Sequence, residues 1–259
     1  MTKEFAEERR EKIYQYLKEN KRANVSEMAK KFSVTEVTIR RDLIAMENKK
    51  NDIIRTHGGA ILKSEKVVSN LTTLKSRMEI AKKEKKRIAQ YIATRIEDND
   101  SLFIDSGSST LEVAYQLLQH SNLLIVTTSL QIVQILSGVN NNRVIVPEGE
   151  YNKDTDYLLG SDTQASMKRY HVDKAILSFT GAIANSGFFS ANQHETSIKK
   201  IMIENSQESI ICLDSTKIDN YAFSFICPIE DVSLIVTDKG ISSEALESFK
   251  EKGPEIIVV

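Results

Sequence analysis

Two stretches carry residue types suited to chemistry, and they suit different partners. The first is Thr35-Glu36-Val37-Thr38-Ile39-Arg40-Arg41-Asp42-Leu43. Adjacent arginines present planar, forked donors that fit guanine edges or phosphate oxygens, a match lysine makes less specifically. Thr35, Glu36 and Thr38 add shorter polar groups to the same stretch. The second is Asp105-Ser106-Gly107-Ser108-Ser109-Thr110, echoed by Thr127-Thr128-Ser129. Small hydroxyl residues and a glycine at a helix start leave backbone N–H groups and hydroxyls facing outward, where an anion such as phosphate fits. In Leu213-Asp214-Ser215-Thr216-Lys217, Lys217 could counter a phosphate, and Asp214 or the distant Glu195 could accept sugar hydroxyls. Each has an ordinary alternative: a solvated helix face, a turn that caps its own helix, a loop side chain.

Catalytic patterns are not evident. His57, His120, His171 and His194 are scattered, and no Ser/His/Asp, Cys/His or metal-ligand spacing occurs, so neither metal nor cofactor is expected. Cys212 and Cys227 sit in apolar surroundings, which favours buried inert thiols and a reducing compartment. The charged N-terminus has no apolar core of a leader, and no apolar run is long enough to span a bilayer. A cytoplasmic protein without a membrane partner is the expectation.

The elements that must position these groups divide by charge. Of a chain with net charge −1, residues 1–88 hold 23 Lys and Arg against 13 Asp and Glu, whereas residues 89–259 hold 12 against 23. A basic part that meets a polyanion, joined to an acidic part with another task, accounts for that polarity. In the basic part, helical spacing predicts a first helix from Phe5 to about Leu17 and a second from Glu27 to Phe32, with Ser26 as its N-cap. A brief turn leads to a third helix, N-capped by Thr35, with Val34, Ile39, Leu43 and Met46 inward and Glu36, Thr38, Arg40 and Arg41 outward. A polar turn follows Met46. Ile53 to Ala60 then reads as a short hairpin wing ending in a Gly58-Gly59 hinge, with Arg55 and His57 placed for phosphate or the minor groove.

From residue 75 onward short apolar runs alternate with helical patterns. Leu102–Ile104, Leu123–Val126, Val144–Val146, Ala175–Leu177, Ile210–Leu213, Leu234–Val236 and Ile256–Val259 read as doubly buried strands of a parallel sheet. Helices are expected near 110–119, 129–137, 161–169, 193–205 and 243–250. Such a fold binds ligands at the carboxyl ends of its strands.

Val25 to Ala60, with its Thr-Ile-Arg-Arg-Asp-Leu and Arg-Thr-His-Gly-Gly-Ala runs, resembles the winged helix-turn-helix of the DeoR family of bacterial transcriptional regulators. Asp105 to Thr110, the Thr-Thr-Ser turn, Glu195 and Asp214-x-Thr216-Lys217 resemble that family's effector domain, which is similar in fold to ribose-5-phosphate isomerase and coenzyme A transferases. The resemblance implies an α/β protein: a DNA-binding domain over 1–60, a linker over 61–74 and a sugar-phosphate sensor over 75–259. It implies DNA contacts from Thr35, Glu36, Thr38, Arg40, Arg41, Arg55 and His57. An effector would meet Asp105, Gly107, Ser108, Ser109, Thr110, Thr128, Glu195 and Lys217. The expected partners are double-stranded operator DNA and a phosphorylated sugar, in a homodimer or higher homo-oligomer matched to a symmetric operator.

The chain departs from the family pattern in places. Asn48 or Asn51 stands where a glycine is usual in the turn before the wing, Pro147-Glu148-Gly149-Glu150 replaces a Gly-Gly, and Ser178 begins a stretch where glycine is usual. Glu148 would either repel an anion or accept a hydroxyl. The competing expectation is a sugar-phosphate isomerase or transferase with an appended DNA-binding domain, using Asp105, Glu195 and Lys217 as acid and base.

Overall fold

A computed structural model of the chain describes residues 3–20, 22–49, 53–55, 59–62, 74–153 and 155–259. Two compact units result, Met1–Val67 and Val68–Val259.

The first unit runs α1 Lys3–Asn20, β1 Arg22–Asn24, α2 Val25–Lys31, α3 Glu36–Lys49, β2 Ile53–Arg55 and β3 Gly59–Leu62. Ile13 and Leu17 of α1, Met28 and Ala29 of α2, Ile39, Leu43 and Met46 of α3, and Ile53 and Ala60 of the strands form one small core. Helical spacing brings these residues to one face of each helix, and their burial holds the three helices together. Antiparallel β1, β3 and β2 lie in that order, so the wing has three strands rather than the two of a hairpin.

Several expected boundaries move. The second helix opens at Val25, ahead of Ser26, and Asn24 precedes it without a side-chain cap. The third continues through Asn48 to Lys49, so half of the expected polar turn is helical and Asn48 needs no left-handed conformation. Asn51, His57 and Gly58 lie outside the described residues. Gly59 is no hinge but part of β3, where a Cβ would fall 2.1 Å from the Ala23 carbonyl oxygen of β1. Only glycine permits that approach. β3 continues to Leu62, which takes the first two residues of the expected linker into the wing.

The second unit runs α4 Leu74–Glu79, α5 Lys82–Ala93, β4 Ser101–Ile104, α6 Ser108–Gln116, β5 Leu124–Val126, α7 Leu130–Leu136, β6 Arg143–Ile145, β7 Glu150–Asn152, β8 Tyr157–Leu159 and α8 Ser161–Met167. It continues through β9 Val172–Leu177, β10 Gly181–Ile183, β11 Gly187–Ser190, α9 Gln193–Glu204, β12 Ser206–Cys212, β13 Ser224–Phe225, β14 Leu234–Thr237, α10 Ser243–Lys250 and β15 Glu255–Val258. All seven strands expected from the apolar runs join one parallel sheet in the order β15-β14-β12-β9-β4-β5-β6. Alternate residues face two cores. Leu102, Ile104, Ile176 and Ile210 meet α5, α6 and α7 on one side; Phe103, Leu177 and Ile211 meet α9 and Phe249 of α10 on the other. Apolar cover on both faces is why these strands read as unbroken apolar runs. Antiparallel β10, β11 and β13 form a separate small sheet, and β7 pairs with β8.

The order fixes where a ligand can bind. From β4 the chain proceeds outward through β5 and β6, then returns to lay β9 on the other flank of β4 and builds outward to β15. Connections leaving β4 and β9 therefore diverge and open a crevice beyond their carboxyl ends. Asp105 follows β4 and Ser178 follows β9.

Candidate functional site

The crevice is held from below by a buried ion pair. Asp105 and Lys199 are both almost fully buried, and the Lys199 ammonium pairs with Asp105 Oδ2. That oxygen also accepts from the Ser178 backbone N–H at 3.1 Å, while Lys199 Nζ donates to the Ser178 carbonyl at 2.8 Å. The Asp105 N–H donates to the Ile176 carbonyl at 2.9 Å, carrying the pairing with β9 one residue past the end of β4. Burial pushes the Asp105 carboxyl above its usual range, and Lys199 works against that shift. Lys199 occupies the inward face of α9 beside Ile198 and Met202, four residues after Glu195.

Above this floor lies the start of α6. Thr110 Oγ1 turns inward, donating to the carbonyls of Asp105 at 2.6 Å and Gly107 at 3.0 Å. Gly107 faces Ser178: a Cβ there would stand 3.3 Å from Ser178 Oγ, so the missing side chain keeps space between the two turns. No side chain caps α6, whereas Ser129 accepts from the Ile132 N–H to cap α7 and Asn192 accepts from the His194 N–H to cap α9. The first N–H groups of α6 thus keep their hydrogen-bonding capacity and the positive end of the helix dipole.

Lys217 reaches this helix start from the turn after β12. Its Nζ donates to Ser109 Oγ at 3.2 Å and Ser178 Oγ at 3.5 Å, and pairs with Asp214 Oδ2 at 3.3 Å. Burial would raise the Asp214 carboxyl, but Lys217, Thr216 and Lys85 together hold it below its usual value. Lys85, on α5 and only 2% exposed, donates to the carbonyls of Arg77 at 2.6 Å and Ile80 at 2.7 Å. Burial brings it down to about 8; Lys217 and Arg77 add to that, and Asp214 and Glu112 oppose it.

Of the residues expected from the sequence, Asp105, Gly107, Ser108, Ser109 and Thr110 follow β4, and Lys217 follows β12 and reaches Ser109. Thr128 lies buried after the neighbouring β5, its carbonyl accepting from the Leu158 N–H at 2.9 Å. Glu195 is engaged at both oxygens, by Tyr157 Oη at 2.6 Å and Ser190 Oγ at 2.8 Å. Tyr157 also accepts from Asn192 Nδ2 at 3.1 Å, and burial followed by Glu195 raises its phenol. Glu148 does not face the crevice as a lone carboxylate: it pairs with Arg169 at 2.8 Å, both well exposed. Lys199, Tyr157 and Lys85 were missed. A lysine inside an apolar helix face was the available sign of Lys199; Tyr157 and Lys85 gave none.

On the first unit, Thr35 Oγ1 accepts from the Thr38 N–H at 3.3 Å and caps α3, with Thr38 Oγ1 2.9 Å from it. Glu36 and Arg40 form a loose exposed pair at 3.9 Å, and Arg41 is exposed. Arg55 ends β2. Asp42, by contrast, is buried and takes Arg9 Nε at 2.6 Å and Arg10 Nε at 2.9 Å. Two of the basic residues counted toward a polyanion surface therefore tie α1 to α3.

Both cysteines are free and buried, their thiols pushed up to about 12 by burial. Among the described residues no helix is long and apolar enough to cross a membrane.

Two family models match the chain. One described as a DeoR-like helix-turn-helix domain covers residues 9–66, and one described as a DeoR C-terminal sensor domain covers residues 80–239. The HTH-type transcriptional regulator YulB of Bacillus subtilis is 31% identical over 252 residues, 97% of this chain and 96% of that protein. The glycerol-3-phosphate regulon repressor of Escherichia coli is 32% identical over 226 residues, covering 87% and 88%. The transcriptional repressor GlcR of Bacillus subtilis is 27% identical over 254 residues, covering 98% and 96%. Among solved structures, ribose 5-phosphate isomerase A of Methanocaldococcus jannaschii aligns with a TM-score of 0.40 at 12% identity over 53% of this chain and 55% of that one.

Proposed function

The chain belongs to the DeoR family of transcriptional regulators, and on that footing we propose that it represses a sugar-uptake or catabolic operon under the control of a phosphorylated sugar. The relatives support the general role: they are named regulators and repressors, and one is named for the glycerol 3-phosphate regulon. An enzymatic reading finds no support among them.

The observation that carries the effector half is the uncapped start of α6 at the point where the sheet order reverses, with Lys217 already on Ser109. A phosphoryl group seated there would take N–H donors from Ser108 and Ser109 and a charge-assisted bond from Lys217. It would draw Lys217 from Asp214. Ser178 Oγ lies within reach of the same group, and Glu195, held by Tyr157 and Ser190, is the carboxylate nearest in role to a sugar-hydroxyl acceptor. In this reading Asp105 does not grip the sugar but shapes the floor with Lys199 and the Ser178 amide. On the DNA side α3 enters the major groove with Arg40 and Arg41, and Arg55 of the wing, with His57 outside the described residues, meets the backbone or minor groove. A dimer or larger assembly would match a symmetric operator. Control requires that the sugar phosphate bind one arrangement of the protein more tightly than another, since a ligand indifferent to both shifts nothing.

The test is a gel shift on the protein's own upstream region, titrated with sugar phosphates and with the parent sugars. One phosphorylated sugar should change operator affinity while its unphosphorylated parent does not. Lys217→Ala should bind operator normally and lose that response. A response retained in full by Lys217→Ala, or none to any phosphorylated sugar, would sink the effector assignment.

A further inference from the structure

Helix α3 buries one apolar edge and exposes another. Ile39, Leu43 and Met46 are in the core, yet Val37 is 60% exposed and Ile44 44% exposed. Among the first-unit residues whose side chains are described these are the large apolar ones left exposed, and both are on α3. Val37, Arg41 and Ile44 are spaced i, i+4, i+7, so they lie along one face of the helix, with Arg40 beside them. A valine this open, in a helix whose inner edge already fills the core, leaves most of its apolar surface uncovered. Its surroundings say what can cover it. The partner must supply hydrogen-bond acceptors or negative charge for the arginines and a small apolar group between them.

The major groove of DNA offers that combination, since guanine shows two acceptors there and thymine shows its 5-methyl group. Val37 is the second residue of α3, in the first turn after the Thr35 cap, and the first turns of such a helix face base edges. Ile44 lies about two turns further along, where the helix is leaving the bases. Resting on the assignment of α3 to DNA, we infer that Val37 reads a thymine through its methyl group. The four-residue step from Val37 to Arg41 is about 6 Å along the helix. With bases spaced about 3.4 Å apart, the thymine falls within roughly two base pairs of the position that Arg41 faces. Sequence preference in this protein thus has an apolar component beside the arginine one, and the Glu36–Arg40 pair flanks it.

Uracil in place of thymine removes this one methyl group and leaves every hydrogen-bonding atom of the base pair. The full-length protein is first used to select its operator from a random-sequence pool. Each thymine of the selected site is then replaced by uracil in turn, and affinity is measured for the wild type and for Val37→Ser. The wild type should lose roughly three- to fivefold at one thymine per half-site, the worth of burying a single methyl group. Val37→Ser should bind the thymine and uracil forms of that site equally, while retaining its sequence preference at the other positions of the site. Uracil replacement that costs nothing anywhere, or costs the same in Val37→Ser, overturns the inference while leaving operator recognition standing. Failure to select any preferred sequence overturns the DNA reading itself. A Val37→Ser protein whose helical circular dichroism departs from wild type is replaced by Val37→Ala, which should lose part of the discrimination.

Discussion

Removing the ammonium beneath the crevice is the sharpest test of how the second unit is built. Lys199→Met keeps the length and apolar stem of the side chain and deletes the charge. Asp105 would remain buried with the Ser178 N–H as its hydrogen-bond donor, and the Ser178 carbonyl would lose its lysine donor. Deleting one member of a buried ion pair typically costs about 3–5 kcal/mol, most of it the penalty of the stranded charge. With a urea slope of about 2 kcal/mol per molar, that loss lowers the unfolding midpoint by roughly 2 M. The loss should also depend on pH. Burial already holds the Asp105 carboxyl above its usual range, and without Lys199 it rises further. The folded variant then binds a proton where the unfolded chain does not, so its stability falls as pH rises and recovers as pH drops. The deficit against wild type is therefore greatest at neutral pH and above, and narrows toward pH 5. Adding Asp105→Asn removes the stranded charge and should restore most of the loss at neutral pH. Urea unfolding followed by circular dichroism at several pH values reads all of this. A Lys199→Met midpoint equal to wild type, or a deficit constant in pH and untouched by Asp105→Asn, would refute the buried-pair account.

Other substitutions separate the roles of the two units. Arg41→Ala should lose specific operator binding by about 1–3 kcal/mol, seen as a weaker gel shift at moderate salt, with thermal unfolding unchanged; undiminished specific binding would remove Arg41 from the reading face. Asp42→Asn should lower the thermal stability of the first unit, because two arginines then face an uncharged group, at a cost of about 1–3 kcal/mol; an unchanged unfolding temperature would show the clamp to be idle. Gly59→Ala should weaken or dislodge the wing through its contact with the Ala23 carbonyl, detectable as faster amide exchange in β1 and β3. Protection equal to wild type would count against the close approach.

The parallel sheet was legible because each strand is a short run of branched apolar residues covered on both faces, a pattern helices of that length rarely show. The Asp105 to Thr110 turn stands out in the sequence for the same reason, a glycine and hydroxyls after such a run, and its role as a ligand site is a proposal. Antiparallel β10, β11 and β13 were not, being two to four residues long and, in β10 and β11, buried throughout, without the alternation that marks a strand. Lys199 and Lys85 escaped because lysine ordinarily signals solvent, and only the carboxylate or the helix-end carbonyls that receive them reverse that meaning. Arg9 and Arg10 misled in the opposite sense. Their charge counted toward DNA, while their partner Asp42 lies within the motif that carries the arginines expected to read it.

On the proposed reading of the second unit, Lys85 would report effector occupancy in protons. Its value of about 8 is low because it is buried, and Lys217 and Arg77 add positive potential that Asp214 and Glu112 only partly cancel. A phosphate dianion settling on Lys217 would offset that positive potential and favour the charged ammonium. Near pH 8 the protein would then take up a fraction of a proton with each effector bound, and affinity would rise as pH falls through that value. Titration calorimetry in two buffers of different ionisation enthalpy measures the uptake directly, and Lys85→Met should abolish it. Because the same ammonium closes the carbonyls of Arg77 and Ile80, the proton would strengthen its hold on the last turn of α4, the first described helix after the wing.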